Sequence, residues 1–184
     1  MKPTAPPRAN PQTEFILQRW NQLLADPELL RRPERIEIDE FGHFLMSPQP
    51  DSIHRKQAFR IAALLEQLLP GDGTFQEQSI LTAEGIRVAD VIWLHPSRAE
   101  ELLKSPTQPL SPAADICVEI LSPSNSKAEI DQKRTLYFEA GAREVWICDR
   151  SNQIYFFGPA GPLDQSALCP QFQPRINLSS KISS

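Results

Sequence analysis

The sequence predicts a mixed α/β fold, a sheet with helices packed on it, and three observations carry that expectation. Residues 86–94 (IRVADVIWL) and 115–121 (DICVEIL) are short, strongly apolar runs of the kind found in strands buried inside a sheet. Segments around Trp20, Ile61 and Tyr137 instead repeat their apolar residues at helical spacing. The two kinds of segment alternate along the chain, as they do where helices cover a sheet.

The 184 residues suit one domain with an arm, and 40% hydrophobic against 23% charged residues allow a sizeable core. No apolar run approaches the roughly 20 residues of a membrane helix. Residues 1–12 carry Lys2 and Arg8 without a hydrophobic stretch, so no secretory signal is expected there. Cys117, Cys148 and Cys169 are odd in number and far apart, which argues against a disulfide framework or zinc cluster and for a reducing, cytoplasmic setting. Nineteen basic and 23 acidic side chains give a net charge of -4, so no global attraction for nucleic acid exists. Binding to phosphates would need a local basic patch or a metal.

Residues 1–12 are polar and proline-rich and are expected to form a flexible arm, leaving 13–184 as a single domain. Thr13 is read as the N-cap of a helix over 14–25, closed by Asp26-Pro27. Alternation in 35–46, interrupted by the turn signal Asp39-Glu40-Phe41-Gly42, predicts a hairpin. After the break at 47–51, Ala58, Ile61, Ala62 and Leu65 predict a helix over 52–69, and 74–82 reads as a strand turning into 86–94. Residues 96–113 read as a surface connection with one helical turn at 100–103. Ser126 and Glu129 have capping-box spacing, and Gly141 stands where a glycine ends a helix. A strand pair, 143–148 and 153–157, follows, and the tail offers one short strand near Ile176. A sheet of five to seven strands results.

The informative residues are charges in apolar surroundings. Asp90 sits on the face of Ile86, Val88, Ile92 and Leu94, and a lone buried carboxylate costs several kcal/mol without partners or a metal. It is either an aspartate bonded to a nearby amide or a ligand. Glu119 repeats the pattern opposite Ile116, Val118 and Ile120, on a face that is half-exposed in the bland reading. Lys133 lies three residues beyond Ile130 and four before Tyr137, on the inward stripe, from which a lysine can also snorkel outward. Two carboxylates from neighbouring strands and a lysine permit metal-assisted phosphodiester hydrolysis: hard oxygens suit Mg²⁺, and the lysine positions or activates a water.

With those residues in view, the chain resembles the Uma2 family of restriction-endonuclease-like proteins, within the PD-(D/E)XK nuclease superfamily. Arg87-Val88-Ala89-Asp90 is similar to the family's RVPDV strand, and Val118-Glu119-Ile120-Leu121-Ser122-Pro123-Ser124 to its VEVLSPS stretch. Asp131-Gln132-Lys133, Tyr137, Ala140-Gly141 and Glu144-Val145-Trp146 resemble its following helix and strand. Glu37, Gly42, Met46-Ser47-Pro48 and His54 resemble its opening hairpin and helix start, and Ser166 to Pro170 with Phe172 its closing run.

The resemblance implies a restriction-endonuclease-like core, a central mixed β-sheet flanked by helices. It implies Asp90 and Glu119 as metal-binding acids, Mg²⁺ as cofactor with Mn²⁺ as substitute, and DNA as substrate, with a homodimer offering one site per strand. The superfamily's lysine commonly follows the glutamate by two residues, a position held here by Leu121, so the resemblance assigns the role to Lys133 on the next helix. Ala89 stands where the family has proline, which removes no ligand. An extra residue stands between Glu37 and Gly42, and Glu37 is a further candidate acid.

His54 is read either as a core or capping histidine or as a phosphate or water contact. His43 and His95 lack zinc spacing. Ser122 and Ser124 are read as turn and cap residues, and Lys127, Arg134 and Arg143 as a solvated face or phosphate contacts. Two functions compete: a Mg²⁺-dependent endonuclease, and a non-catalytic module that keeps the fold and binds nucleic acid or a protein. A metal-dependent hydrolase of another phosphate ester is a third reading.

Overall fold

In the computed structural model, which describes residues 10–69, 71–123 and 125–179, the chain runs α1 (Pro11–Ala25), α2 (Pro27–Leu30), β1 (Arg35–Ile38), β2 (Phe44–Ser47), α3 (Ser52–Leu68), β3 (Thr74–Thr82), β4 (Gly85–Trp93), α4 (Pro96–Lys104), β5 (Ile116–Ile120), α5 (Lys127–Glu139), β6 (Glu144–Cys148), β7 (Ile154–Gly158) and β8 (Gly161–Leu163). The strands form one sheet in the order β2-β1-β4-β5-β6-β7-β8, with β3 also paired to β4. Among the strands of the described residues only β5 and β6 run parallel, and α5 makes the crossover between them. The expected mixed sheet flanked by helices is present, with mostly antiparallel pairing.

The apolar stripes of the helices decide which face each covers. Ala58, Ile61 and Leu65 of α3 pack on Val91, Trp93 and Val118. On the opposite face, Ile130 and Tyr137 of α5 and Leu102 of α4 meet Ala89, Ile92 and Cys117. Ile16, Trp20 and Leu23 of α1 close a third cluster over Ile38 and Ile86. Every residue of β4 is buried.

The division of one edge of β4 positions the site. β3 pairs with β4 along one side from Thr82↔Gly85 to Thr74↔Trp93. On the other side Ile86 pairs with Ile38 of β1, whereas Val91, Ile92 and Trp93 pair with β5. Residues 87–90 therefore border a fork where β1 and β5 part. At the same level Glu77 stands opposite Asp90, between the pairs Gln76↔Val91 and Gln78↔Ala89, with φ +52°. The alternation of faces slips there: Ala89 and Ile92 pack in one cluster, Val91 and Trp93 in the other. Asp90 consequently turns toward His54 of α3 and does not share the face of Ile92 and Leu94, as simple alternation predicts.

Other differences are local. Asn10, not Thr13, caps α1 by accepting from Gln12 N at 3.1 Å, with Pro11 in the first turn, so residues 10–12 belong to the helix start. Residues 1–9 of the predicted arm lie outside the described residues. The connection after β4 holds a nine-residue helix, α4, where one turn is expected; it starts on Pro96 without a side-chain cap and buries only Ala99 and Leu102. Two further elements, α2 and β8, were too short to show a period. Near Ile176 there is no strand, only a bridge between Gln153 and Arg175.

Candidate active site

The fork leaves backbone groups without ladder partners, and buried amides need partners. Two carboxylates supply them. Val88 N donates to Glu37 Oε1 at 2.9 Å, and Ile120 N donates to Asp90 Oδ2 at 2.6 Å. Asp90 Oδ2 also lies 3.3 Å from His54 Nε2, and Asp90 Oδ1 lies 2.6 Å from a guanidinium nitrogen of Arg35. Asp51 caps α3 by accepting from His54 N at 2.8 Å and so fixes the start of the helix that carries the ring. Burial opposes the Asp90 charge, yet the His54 contact and the Arg35 cation outweigh it and hold the carboxyl down at about 2.

Glu119 enters from β5 on the α5 side. Tyr137 Oη donates to its Oε1 at 2.6 Å, and Lys133 Nζ lies 3.4 Å from its Oε2. Lys133 also donates to Glu37 Oε1 at 2.7 Å and approaches Val88 O at 3.4 Å. The capping box at Ser126 and Glu129 starts α5 as expected and places Lys133 and Tyr137, four apart, on its inner stripe. Burial pushes the Glu119 carboxyl up to about 7; Lys133 pulls against that, and Asp90 adds to it. Burial also opposes the Lys133 charge, but Glu119 and Glu37 overcome it and the ammonium is held above its ordinary value. The Tyr137 hydroxyl, buried and beside Glu119, stays protonated.

Asp90, Glu119, Lys133, Glu37 and His54 line one cleft of about 740 Å³, with Arg35 among its walls. The half-exposed reading of Glu119 and the outward reading of Lys133 do not hold: Glu119 is 3% exposed and Lys133 reaches inward to Glu37. The amide-bonded reading of Asp90 does hold, alongside its place in the cleft. Glu144 shows what a purely structural buried carboxylate looks like in this fold: Trp146 Nε1, Ser166 Oγ and the amides of Ala167 and Leu168 all donate to it within 2.8 Å, with no cation among its hydrogen-bond partners. Asp90 and Glu119 are held instead by charges of the cleft.

A family model described as "Putative restriction endonuclease", that of Uma2, matches residues 1–177. The chain belongs to the Uma2 family. Among solved structures, the fold is similar to a putative nuclease belonging to DUF820 from Anabaena variabilis ATCC 29413, with a TM-score of 0.61 and 16% identity, over 86% of this chain and 94% of the other. No curated protein matches.

For a Uma2 cleft of this kind the donor chemistry decides what it can hold. Among the described residues no three acidic, histidine or cysteine side chains gather into a ready-made metal cage. Mg²⁺ keeps several waters and needs only one or two carboxylates, so Asp90 and Glu119 fit that ion and fit zinc poorly. Asp90 Oδ1 is buried with the Arg35 guanidinium 2.6 Å away, so an ion taken up at that oxygen would have to replace this contact. Ser122 makes a turn through Asn125 Oδ1, at 2.9 Å from its amide and 2.8 Å from its hydroxyl, and Ser124 lies outside the described residues. Lys127 and Arg134 both pair with Asp131, and Arg134 covers the Phe157 ring at 4.3 Å, so their charge on this helix face is partly offset. His43 is bonded to Asp39, away from the cleft. Arg35 and Glu77 escaped sequence reasoning, which reads Tyr137 only as part of the inward stripe and the family's helix. Tyr137 carried a signal, its i+4 relation to Lys133; the other two depend on strand pairing.

Proposed function

We propose that this Uma2 protein is a Mg²⁺-dependent endodeoxyribonuclease that hydrolyses DNA phosphodiester bonds in the cleft between β1 and β5. The observation that carries the reading is the convergence of Asp90 and Glu119, both buried, with Lys133 between Glu37 and Glu119. Asp90 and Glu119 hold the ion, and Tyr137 fixes the orientation of Glu119 from behind. Bound Mg²⁺ polarises the phosphoryl oxygens and lowers the pKa of a water. Lys133 Nζ positions that water or a phosphate oxygen and balances charge on the pentavalent centre. Glu37 holds Lys133 in place, and His54 orients Asp90. Hydrolysis adds water across phosphorus, breaks one ester bond and leaves the proton on the departing oxygen.

The net charge of -4 requires the attraction for DNA to be local. A homodimer would present two clefts, one for each strand; β2 is an edge strand with Leu45 and Met46 exposed beside the cleft. The three cysteines, buried and free, suit a reducing cytoplasm, and no helix among the described residues is long and apolar enough to cross a membrane.

A second reading, a binding module without catalysis, is favoured by one observation: Asp90 and Glu37 each already serve a backbone amide. Plasmid cleavage in Mg²⁺ or Mn²⁺, beside calorimetric titration of Mn²⁺ into the wild type and Asp90→Asn, separates the two. The nuclease reading expects metal-dependent cleavage that falls about a hundredfold or more in Asp90→Asn, which keeps the acceptor for Ile120 N. Absence of both metal binding and cleavage, with and without duplex DNA, leaves the binding module.

A further inference from the structure

Arg35 opens β1 and reaches into the cleft with its side chain only 15% exposed. Its Nη2 meets Asp90 Oδ1 at 2.6 Å, a close ion pair through one nitrogen and one oxygen. Arginine frequently grips a carboxylate with its planar fork in two parallel bonds. Arg35 does not. The same nitrogen lies 3.6 Å from Glu77 Oε1, whose side chain is 66% exposed.

Glu77 is the residue opposite Asp90 in the β3–β4 ladder, and its φ of +52° is a conformation that costs a non-glycine residue on the order of 1–3 kcal/mol. The strain is spent beside the cleft, where it brings a second carboxylate to the outer side of the guanidinium. Arg35 thus has two acids in reach, one buried and one at the rim.

A divalent ion and a guanidinium are like charges and cannot both occupy Asp90 Oδ1 in a water-poor cleft. We propose that Arg35 is the resident counter-ion of Asp90, that a divalent ion binds by displacing it, and that Glu77 receives the displaced guanidinium. This rests on the metal reading of the cleft. The exchange keeps Asp90 compensated in both states: without an ion an unpaired buried carboxylate would cost several kcal/mol, and Arg35 removes that cost. It also sets the metal affinity, since every ion bound must repay the broken Arg35–Asp90 pair.

The test is calorimetric titration of Mn²⁺ into the full chain as wild type, Arg35→Gln and Glu77→Gln, each checked for folding by circular dichroism. Arg35→Gln is expected to bind Mn²⁺ about tenfold more tightly than the wild type, a coupling of ordinary size. It should also gain more in melting temperature on adding Mn²⁺. Glu77→Gln, altered at an exposed side chain, should bind several-fold more weakly. Equal or weaker binding by a folded Arg35→Gln overturns the counter-ion role while wild-type binding leaves the metal reading standing. If neither wild type nor Arg35→Gln takes up Mn²⁺, with or without duplex DNA present, both readings fall. Should Arg35→Gln fail to fold, Glu77→Gln decides alone, and an unchanged affinity there overturns the proposal.

Discussion

Lys133 and Glu37 meet with Nζ 2.7 Å from Oε1, joining the crossover helix α5 to the first strand β1 across 96 positions of sequence. The pair is part of a buried set of charges, because Lys133 also faces Glu119 and Glu37 also accepts from Val88 N. Removing the cation leaves two acids buried together. Lys133→Met is therefore expected to destabilise the fold by about 3–5 kcal/mol, measured by urea unfolding at pH 7.5. Adding Glu37→Gln should recover part of that loss, because the two changes share one network and their effects do not add.

Asp90 and Glu119 make opposite contributions to stability as pH changes. Burial raises the folded-state Glu119 carboxyl to about 7 from an ordinary value of 4.5, so the folded chain holds a proton that the unfolded chain releases. That contribution is complete below about 4.5 and disappears as pH rises through about 7. Asp90, opposed by burial but held down at about 2 by His54 and Arg35, contributes above its ordinary value of 3.8 and loses that contribution as pH falls toward 2. Glu119→Gln should consequently flatten the decline in melting temperature between pH 5 and pH 8. A decline as steep as that of the wild type would place its source elsewhere.

The acids were legible in the sequence because strands β4 and β5 are otherwise apolar, and a charge in such a run has few explanations. Lys133 was legible for the same reason in a helix, once Ser126 and Glu129 had fixed where α5 begins. Arg35 and Glu77 were not. Arg35 meets Asp90 because β1 and β5 share one edge of β4, through pairings such as Ile38↔Ile86 and Val91↔Val118 that no local pattern records. Glu77 has no residue signature for its left-handed backbone, where glycine or asparagine would be the usual sign. The slip in facing that it makes at Asp90 is a property of two paired strands, and alternation within β4 could only extrapolate through it.

Glu144 provides a contrast with the cleft. Four donors converge on its carboxylate, three from the segment that follows β8, Ser166 Oγ at 2.7 Å, Ala167 N at 2.7 Å and Leu168 N at 2.8 Å, and one from its own strand, Trp146 Nε1 at 2.7 Å. Glu144→Ala should leave these donors unpaired and cost about 3–5 kcal/mol. Limited proteolysis should then cut in the tail around residues 164–170 before elsewhere. Mn²⁺ affinity of the folded fraction is expected to stay at the wild-type level, because Glu144 is not among the residues of the cleft.

Gly85 ties the turn between β3 and β4 to the placement of the β1 side chains. It has φ +107°, and a Cβ there would stand 2.1 Å from Ile38 O and 2.7 Å from the carbonyl carbon of Asp39. Those are backbone atoms at the end of β1, the strand that carries Arg35 and Glu37. Alanine at this position has to adopt an unfavourable φ and push β1 away from β4, which together should cost about 2–4 kcal/mol. The displaced strand would carry Glu37 from Lys133 and Arg35 from Asp90, so the melting temperature should fall and Mn²⁺ affinity should change in the same variant. Gly161→Ala separates strain from placement. Its φ is +134° but no atom lies within 4 Å of the new Cβ, so only the backbone cost, about 1–2 kcal/mol, is expected. Urea unfolding and Mn²⁺ calorimetry on the two variants should show both effects for Gly85→Ala and the stability effect alone for Gly161→Ala; equal Mn²⁺ affinities in all three proteins would mean that β1 does not position the cleft.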